Sequence, residues 1–425
     1  MNSFVIHGDI CFSTDKNEIK TFPDSYAVCV DGVSAGVFAS CPDEYKNLPL
    51  YDFGGKLVIP GLTDLHIHAS QFAFRGMYVD VELMEWLNVH AFPEETKFAS
   101  LGYADKAYGI FTESLRKGAT TRACIFASAH TDATELLMEK LASSGIGAYI
   151  GRVNMDINAP DGLREKDAGF SADETVRWLD DTAGRYDRVR PIITPRFVPS
   201  CSRGLLEKLK EIVEKYRVPS QSHLSENREE MRIVKESFPE CETYGDVYDK
   251  YGMFGTNSKT LMAHCVYSPD AELEKMKERG VFIAHCPASN TNVITGIAPI
   301  RKYLDMGMKL GLASDVAGGH TDSMFHAVVD TIQMSNLYYR YVDGTKKQLS
   351  FTEAFYLATK GGGEFFGKVG SFEKGYDFDA VVLDDEAIPH PQSLNVRERL
   401  ERSVYLGLDD RGGVCAKFVC GDRVV

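Results

Sequence analysis

Short apolar runs alternate with amphipathic stretches between about residues 56 and 365. The runs are rich in β-branched residues, and in the stretches between them apolar residues recur three or four positions apart. This alternation is typical of parallel strands that are each followed by a covering helix. The eight runs predicted as strands are 57–59 leading to 64–66, 120–126, 148–153, 190–196, 219–223, 260–264, 281–285 and 310–315. The predicted helices include 104–117, 132–143, 172–183, 203–216, 271–279 and 325–341.

Both ends of the chain have a different pattern, made of short strand-like runs. The predicted strands are 4–12, 26–30 and 35–39 near the amino end, and 379–383, 404–406 and 416–420 near the carboxyl end. Eight central strands with intervening helices predict an α/β fold, a (β/α)8 TIM barrel, and the two ends together predict a small β-sandwich. The expected domains are 1–60 and 366–425 for the two parts of the sandwich, and 61–365 for the barrel.

The composition fits a globular enzyme and narrows the choice of partners. Of the 425 residues, 44% are hydrophobic and 25% are charged, and the formal net charge is −14. No basic run is present, so we do not expect binding to nucleic acid or to an anionic membrane surface. The ten cysteines include no C-x-x-C pair, which argues against a zinc ribbon and against a disulfide framework. No apolar run approaches the roughly 20 residues of a membrane span, and residues 1–9 show no leader pattern, so we expect a cytoplasmic protein.

Five side chains that can bind a metal stand at the carboxyl ends of the predicted strands. His66 and His68 belong to the first run, His223 ends the fifth, His264 ends the sixth, and Asp315 ends the eighth. In a barrel these strand ends surround one cleft, so the five residues are predicted to converge. Each histidine taken alone is more often an ordinary core residue. The H-x-H pair is a stronger signal, because residues two apart on a strand share one face.

Three imidazoles and one carboxylate form a donor set that suits one zinc ion per subunit, with iron as the alternative. We assign His66, His68, His223 and Asp315 as the ligands. Catalytic zinc keeps a position open for water and lowers the pKa of that water to about 7. We place His264 beside this water, and we expect both His264 and Asp315 to take part in catalysis.

Glu226 follows His223 by three residues, in the segment His-Leu-Ser-Glu. A carboxylate at this place above the metal can carry a proton between the water and a ring nitrogen of a substrate. The alternative is that Glu226 only begins a helix, as the residues around it would allow. We favour the catalytic role because of its position over the ligand cluster. His285 is expected beside the ligands, and surface or structural roles are expected for the remaining histidines, which are His7, His90, His130, His320, His326 and His390.

Two segments resemble motifs of the amidohydrolase superfamily. PGLTDLHIH at 60–68 resembles its first metal motif, and GSFEKGYDFDA at 370–380 is similar to the signature of its carboxyl-terminal sandwich. With the ligand motifs between them, the resemblance covers nearly the whole chain. Binuclear members use a carboxylated lysine from a middle strand, and the third and fourth runs here contain no lysine. The resemblance therefore implies a hydrolase with a single metal ion.

Within the superfamily, the chain most resembles the guanine deaminases. The segments that carry this resemblance are HASQ at 68–71, EWL at 85–87, FPEE at 92–95, PRF at 195–197, HLSE at 223–226, AHCP at 284–287 and SDVAGG at 314–319. The resemblance implies a homodimer that hydrolyses guanine, a small purine, to xanthine and ammonia. It also implies substrate contacts from Gln71, Arg196 and Phe197, next to His223 and Glu226.

These three residue types suit a purine. A glutamine amide donates and accepts along the purine edge, an arginine donates to the O6 carbonyl, and an aromatic ring stacks on the base. Without the resemblance, the sequence would be interpreted as placing Arg196 in a surface ion pair and Phe197 in the core. Ser70 and Ser314 depart from the usual pattern, which has proline and threonine at these places, and GHTD at 319–322 is also unusual.

Two alternatives stay open beside guanine deamination. One is a sister enzyme for another heterocycle, such as 8-oxoguanine, cytosine or a triazine, because the same metal site serves all of them. The other is a metal-free scaffold with the same fold, which the complete set of ligands disfavours. The zinc deaminases that flip bases out of nucleic acid use H-x-E and P-C-x-x-C signatures, and this chain has neither.

Overall fold

The computed structural model describes residues 2–425. The strands are β1 Phe4–Asp15, β2 Glu18–Val30, β3 Val33–Phe38, β4 Leu50–Pro60, β5 Leu62–His68, β6 Thr120–Phe126, β7 Gly147–Gly151, β8 Val153–Asn154, β9 Val189–Pro191, β10 Thr194–Pro195, β11 Ser220–Leu224, β12 Thr260–His264, β13 Phe282–His285, β14 Lys309–Leu312, β15 Ala380–Leu383, β16 Val414–Val419 and β17 Asp422–Arg423.

The helices are α1 Leu83–Trp86, α2 Phe92–Thr96, α3 Leu101–Lys117, α4 Thr131–Ser144, α5 Ala168–Thr182, α6 Arg203–Tyr216, α7 Arg228–Ser237, α8 Tyr244–Lys250, α9 Asp270–Arg279, α10 Pro287–Asn292, α11 Ile300–Asp305, α12 Met324–Tyr341, α13 Phe351–Tyr356 and α14 Val396–Tyr405. Short 3-10 segments include Ala69–Phe74 and Val198–Ser200, and π-helical turns lie at Leu87–Ala91 and Leu357–Gly361. Within residues 2–425, no helix combines the length and the apolar composition that crossing a membrane requires.

Strands from both ends of the chain form one seven-stranded sheet, in the order β17-β16-β15-β4-β1-β2-β3. The two ends meet where β15 pairs antiparallel with β4. Neighbouring residues of β4 point to opposite faces, as the pleat of a strand requires. Val58 joins a cluster of apolar residues from the two ends, whereas Leu57 and Ile59 join the main core. The sheet is therefore buried on both faces at the last residues of β4, whereas the first half of this strand is exposed or half-buried.

Two four-stranded parallel sheets, β5-β6-β7-β9 and β11-β12-β13-β14, make up the central region, together with the parallel pair β8-β10. Backbone hydrogen bonds join the sheets at two places. Ile193 N donates to Pro219 O at 2.9 Å, and Asp315 N, just beyond β14, donates to His66 O at 2.8 Å. Because all these pairings are parallel, the carboxyl ends of the strands lie at one common edge. The helices that follow the strands bury their apolar faces against the outside of the sheets.

The predicted strand at 404–406 is wrong, because residues 404 and 405 form the last turn of helix α14. The helix begins with a capping box, in which Asn395 and Glu398 each accept a hydrogen bond from the other's backbone N–H. Leu400 and Val404, four positions apart, are buried on one face of the helix. A short run of Val-Tyr-Leu resembles a strand locally, but the helical period of the whole segment decides the structure.

The first predicted run is also corrected, because it combines parts of two strands. Residues 57–59 belong to β4 in the terminal sheet, and β5 begins only at Leu62. The break falls at Pro60-Gly61, where a Cβ on Gly61 would lie 2.1 Å from Thr121 Oγ1. Only glycine allows the chain to pass this close to β6. The third and fourth runs are likewise divided, into β7 with β8 and into β9 with β10.

Candidate active site and metal centre

The five side chains predicted to converge do so at the carboxyl edge of the parallel strands. His66 and His68 lie in β5, His223 in β11 and His264 at the end of β12, and Asp315 follows β14. Asp315 Oδ1 lies 3.2 Å from His66 Nε2 and 3.4 Å from His68 Nε2, and His68 Nε2 lies 3.3 Å from His223 Nε2. All five side chains are buried. Residues from four distant parts of the sequence thus present their polar atoms to one small space.

Hydrogen bonds on the far side of two imidazoles turn the other nitrogen toward this space. His223 Nδ1 donates to the Arg196 carbonyl at 2.6 Å, and His264 Nδ1 donates to Asn290 Oδ1 at 2.9 Å. Each bond uses the ring N–H and leaves Nε2 with a lone pair. Among residues 2–425, Nε2 of His66 and Nε2 of His264 have no hydrogen-bond partner. A metal ion or a water bound to it would supply the partner that each of these buried nitrogens lacks.

The chemistry of the donor set fits a metal ion. The ligand atoms of His66, His68 and Asp315 lie within 4.8 Å of one another, and so do those of His66, His223 and His264. Burial lowers the pKa of His68 and of His264 to about 4. At neutral pH these imidazoles are therefore uncharged, which is the form that binds metals. A third group within the same distance consists of His264, Cys286 and Asp315. Since His264 belongs to two of the three groups, distance alone does not separate a ligand from a neighbour of the ligands.

Two carboxyl groups beside this cluster have opposite protonation tendencies. Burial disfavours ionised Asp315, but the imidazoles of His66, His68 and His264 outweigh it and hold the pKa of Asp315 well below its usual range. Burial raises the pKa of Glu226 well above its usual range, and the charge of nearby carboxylates raises it further. Glu226 Oε2 lies 3.4 Å from His264 Nε2. The site therefore contains a proton acceptor and a proton donor close together.

The backbone is unusual at the same places. His264 has φ 71° and Asp315 has φ 48°, in the left-handed region that residues other than glycine seldom adopt. Ser225, directly before Glu226, has φ 49°. Such conformations cost about 1–3 kcal/mol each and persist where the surrounding structure imposes them, most often at functional sites. These conformations occur at two of the five clustered residues and in the loop that carries Glu226.

A buried carboxylate holds the strand ends that carry the cluster. Asp64 Oδ2 accepts from Ser314 Oγ at 2.5 Å, and Asp64 Oδ1 accepts from the backbone N–H groups of Ser314 at 3.1 Å and of His66 at 3.2 Å. Burial raises the pKa of Asp64 to about 7. Asp64 thereby links the start of the cluster in β5 to Asp315 after β14. The serine at 314 supplies this bond with its own hydroxyl group.

A cavity opens next to the cluster. Glu226, Gln71, Arg196 and Phe197, the residues that the sequence assigns to catalysis and substrate contact, all line this cavity. Arg196 is only 3% exposed, so it is not a surface ion pair, and Phe197 is 7% exposed. The remaining wall residues, most of them apolar, are Leu83, Trp86, Leu87, Ser289, Val293 and Gly318, beside the cluster members His68, His223, His264 and Asp315.

The part of the cavity wall that contains Gln71 and Arg196 is held by side-chain hydrogen bonds. Gln71 Nε2 donates to Glu95 Oε1 at 2.7 Å, and Arg196 Nη1 donates to Glu95 Oε2 at 2.5 Å. The Gln71 carbonyl oxygen accepts from Ala317 N at 3.1 Å. The Arg196 guanidinium also lies 4.9 Å from the centre of the Phe92 ring. Polar groups that face the cavity are thus fixed before a ligand arrives.

Sequence reasoning missed four residues that support the site. They are Asp64, Glu95, Asn290 and Cys286, whose Sγ atom lies within 4.8 Å of ligand atoms of both His264 and Asp315. The signal available for Asp64 was an acidic residue two positions before His66 in the run that ends in the H-x-H pair. His285 is buried, and both of its ring nitrogens lack a hydrogen-bond partner among residues 2–425. Burial lowers the pKa of His285 to about 3, and it is not among the residues that line the cavity.

The sequence matches a known family over most of its length. A family model described as the amidohydrolase family matches residues 57–408. Guanine deaminase of Mus musculus is 38% identical over 397 residues, which cover 90% of this chain and 85% of the mouse protein. Guanine deaminase of Escherichia coli K12 is 33% identical over 371 residues, which cover 85% of this chain and 81% of the bacterial protein.

The fold is similar to that of a solved relative. A crystal structure of guanine deaminase from C. acetobutylicum, with guanine bound in its active site, has a TM-score of 0.96 to this chain. The two share 45% sequence identity, and the comparison covers 100% of both chains. The family model, the sequence relatives and the solved structure agree with the resemblance of the segments at 60–68 and 370–380 to motifs of this family. The chain belongs to the amidohydrolase family.

Proposed function

We propose that this chain deaminates guanine, converting guanine and water to xanthine and ammonia. One observation carries the proposal: a single cavity is lined both by a cluster of imidazoles and carboxyl groups and by Arg196, Gln71 and Phe197. The relatives at 33–45% identity that are named guanine deaminase support the same substrate. A small neutral purine also suits a cavity lined mainly by apolar groups with a few polar ones.

We propose that His66, His68, His223 and Asp315 hold one zinc ion, with iron as the alternative. Zinc in such a site lowers the pKa of a bound water to about 7 and so supplies hydroxide at neutral pH. His264 is placed to accept a hydrogen bond from the attacking water, because its Nε2 atom lies 3.4 Å from Glu226 Oε2 and 3.6 Å from Asp315 Oδ2. Its Nδ1 atom is already bonded to Asn290.

The two carboxyl groups divide the proton transfers between them. Asp315, with its low pKa, accepts a proton from the attacking water. Glu226, with its raised pKa, donates a proton to N3 of guanine, which makes the neighbouring C2 electrophilic. The water oxygen then adds to C2 to give a tetrahedral carbon. The amino group takes up the proton held by Asp315 and leaves as ammonia, while the hydroxyl proton on C2 passes to Glu226, so that the product is xanthine and both carboxyl groups return to their starting state.

The wall formed by Arg196, Gln71 and Phe197 recognises the purine. The Arg196 guanidinium donates to the O6 carbonyl, because arginine offers only donors and O6 only accepts. The Gln71 amide bonds along the same edge, and the Phe197 ring stacks on the base. These contacts orient C2 toward the cluster. They also distinguish a 6-oxo purine from a 6-amino purine, which would place donors against the donors of Arg196.

We also propose the finer architecture. The two four-stranded sheets with β8 and β10 form a (β/α)8 barrel of residues 61–365, and residues 1–60 and 366–425 form the small β domain. The seams between the sheets, at Ile193 with Pro219 and at His66 with Asp315, support closure. We propose further that the protein is a homodimer. We also propose that it binds a purine and not a nucleic acid.

The test is an assay of the purified protein with guanine, run beside elemental analysis. We expect xanthine and ammonia in equal amounts, and about one zinc ion for each chain. 8-Oxoguanine, cytosine and a triazine are tested in parallel, because a sister enzyme would prefer one of them. Failure to release ammonia from guanine by a zinc-loaded protein would contradict the proposal.

A further inference from the structure

We propose that Glu95 is the positioning residue of the substrate wall: its carboxylate holds Gln71 and Arg196 in the one arrangement that reads the O6 edge of the purine. This inference rests on the proposed function for the identity of the ligand. Glu95 lies in helix α2, is 3% exposed and does not line the cavity. It therefore acts through the two residues that it holds, and not by touching the substrate.

The carboxylate connects three separate segments of the chain. Its Oε1 atom accepts from Gln71, in the 3-10 segment after β5, at 2.7 Å. Its Oε2 atom accepts from Arg196, directly after β10, at 2.5 Å. Gln71 stands 24 positions before Glu95, and Arg196 stands 101 positions after it. One buried group thus fixes the distance between two residues that the backbone does not connect locally.

Glu95 decides which way the Gln71 amide faces. The two ends of a glutamine amide have nearly the same shape, and only their hydrogen-bond partners distinguish them. A carboxylate accepts only, so it must meet the Gln71 NH₂ group, and Ala317 N, which donates only, must meet the Gln71 carbonyl at 3.1 Å. The amide then keeps one N–H and one oxygen lone pair for a ligand. The amide orientation is therefore set by the protein before the purine binds.

Glu95 also holds and neutralises Arg196. Within residues 2–425, Glu95 supplies the only carboxylate within 4.0 Å of the Arg196 guanidinium, and both side chains are 3% exposed. A buried cation without a partner is costly, so this pair is needed to keep a guanidinium in the cavity wall. The bond engages Nη1 and leaves donors on the other nitrogens for a carbonyl oxygen. A neutral amide at position 95 can satisfy Gln71 or Arg196, but its own NH₂ group opposes the other.

The neighbouring Glu94 provides a matched control. It belongs to the same helix, is 8% exposed, and accepts hydrogen bonds from Lys97 at 2.6 Å and from the Tyr103 hydroxyl. It contacts neither Gln71 nor Arg196. Replacing Glu94 by glutamine removes a buried negative charge at almost the same place without touching the substrate wall.

The experiment compares wild type, Glu95→Gln, Glu95→Asp and Glu94→Gln. For Glu95→Gln we expect the KM for guanine to rise about 10–100-fold, with a smaller change in kcat and unchanged zinc content. The reason is that the charged hydrogen bonds that hold Gln71 and Arg196 in place for the ligand are lost. Glu95→Asp keeps the charge but is one methylene shorter, so its KM should lie between those of wild type and Glu95→Gln. Glu94→Gln should keep the wild-type KM. A purely structural role would instead reduce the active fraction, which lowers kcat and leaves KM unchanged.

A binding measurement separates this inference from the proposed function. Xanthine keeps the O6 edge and is not deaminated, so its dissociation constant, measured by calorimetry, does not depend on turnover. We expect xanthine to bind about 10–100-fold more weakly to Glu95→Gln than to wild type or Glu94→Gln. Equal dissociation constants, or equal KM values for guanine, would overturn the role of Glu95. If Glu95→Gln does not fold, Glu95→Asp decides the question by the same two measurements. A wild-type protein that releases no ammonia from guanine would overturn the proposed function alone.

Discussion

The proposed metal-binding side of the cavity and the proposed substrate-binding side are held in place by different kinds of structure. On the metal side, the side chains stand in strands β5, β11 and β12 or directly after β14, where parallel backbone hydrogen bonds fix them. On the substrate side, Gln71, Trp86 and Arg196 come from short helices and connecting segments, and side-chain bonds to Glu95 fix two of them. A rigid scaffold thus carries the reacting groups, and the connecting segments carry recognition. Substitutions on the two sides should therefore act mainly on kcat and on KM, respectively.

The largest effect is expected at Glu226. Glu226→Gln keeps the shape of the side chain but removes the acidic proton, so kcat should fall about 10²–10⁴-fold while the zinc content stays unchanged. Steady-state kinetics with guanine measures this loss. Glu229→Gln is the control, because Glu229 is exposed on α7 and pairs with Arg232. A near-normal kcat in Glu226→Gln would show that the proton donor lies elsewhere.

A smaller loss is expected at Asn290, which touches the metal side only through His264. Asn290→Ala removes the acceptor of the His264 Nδ1 proton, so the ring can change tautomer or turn away from the attacking water. Groups that orient a ligand from behind typically change activity about 10–100-fold, and we expect this loss in kcat. Asn88→Ala, at an exposed amide that caps only its own helix, should behave as wild type. Equal loss in both variants would indicate a general effect on stability.

On the substrate side, Phe197→Leu should act on KM. Leucine keeps the wall apolar but removes the aromatic face, and stacking contributes about 0.5–1.5 kcal/mol beyond burial. The KM for guanine should therefore rise about 2–10-fold, with kcat nearly unchanged. A change confined to kcat would contradict the division between the two sides.

The smallest effect is expected from Glu230→Gln, seen in the pH dependence of the rate. The charge of Glu230 raises the pKa of Glu226, and burial raises the pKa of Glu230 itself to about 7. Protonated Glu226 is the active form, so activity is present below its pKa and is lost as the pH rises through it. Removing the neighbouring charge lowers the pKa of Glu226, and the alkaline limb of the kcat profile should move to lower pH. If the alkaline limb does not move, Glu226 is not the group whose deprotonation causes the loss of activity at high pH.

The two sides also differ in how far the sequence reveals them. His66, His68, His223, His264 and Asp315 could be predicted because each stands at the end of an apolar run, and parallel strands bring such ends together. Glu95 could not be predicted in this way, since it lies in a five-residue helix that starts with Phe-Pro and follows a π-helical turn. Periodicity over so few residues carries no information about which side chain faces inward. Its partners lie 24 and 101 positions away, and only the folded chain brings them together.

The corrected elements of the fold have a similar cause. At 404–406 a local β-like run hides the last turn of α14, whose capping box begins nine residues earlier. At 57–59 the apolar run continues past the Pro60-Gly61 break, so one run holds parts of two sheets. In both cases the local pattern is present, but a feature outside the short run decides to which element the segment belongs, namely the capping box at Asn395 and the break at Pro60-Gly61.

The central claim is that His66, His68, His223 and Asp315 hold one metal ion beside Glu226. The most direct measurement is anomalous diffraction at the zinc edge from crystals of zinc-loaded protein that is active on guanine. The account predicts one strong peak for each chain, about 2.0–2.2 Å from three imidazole nitrogens and one oxygen of Asp315. An active protein with no peak at this position, or with its zinc bound elsewhere, would contradict it.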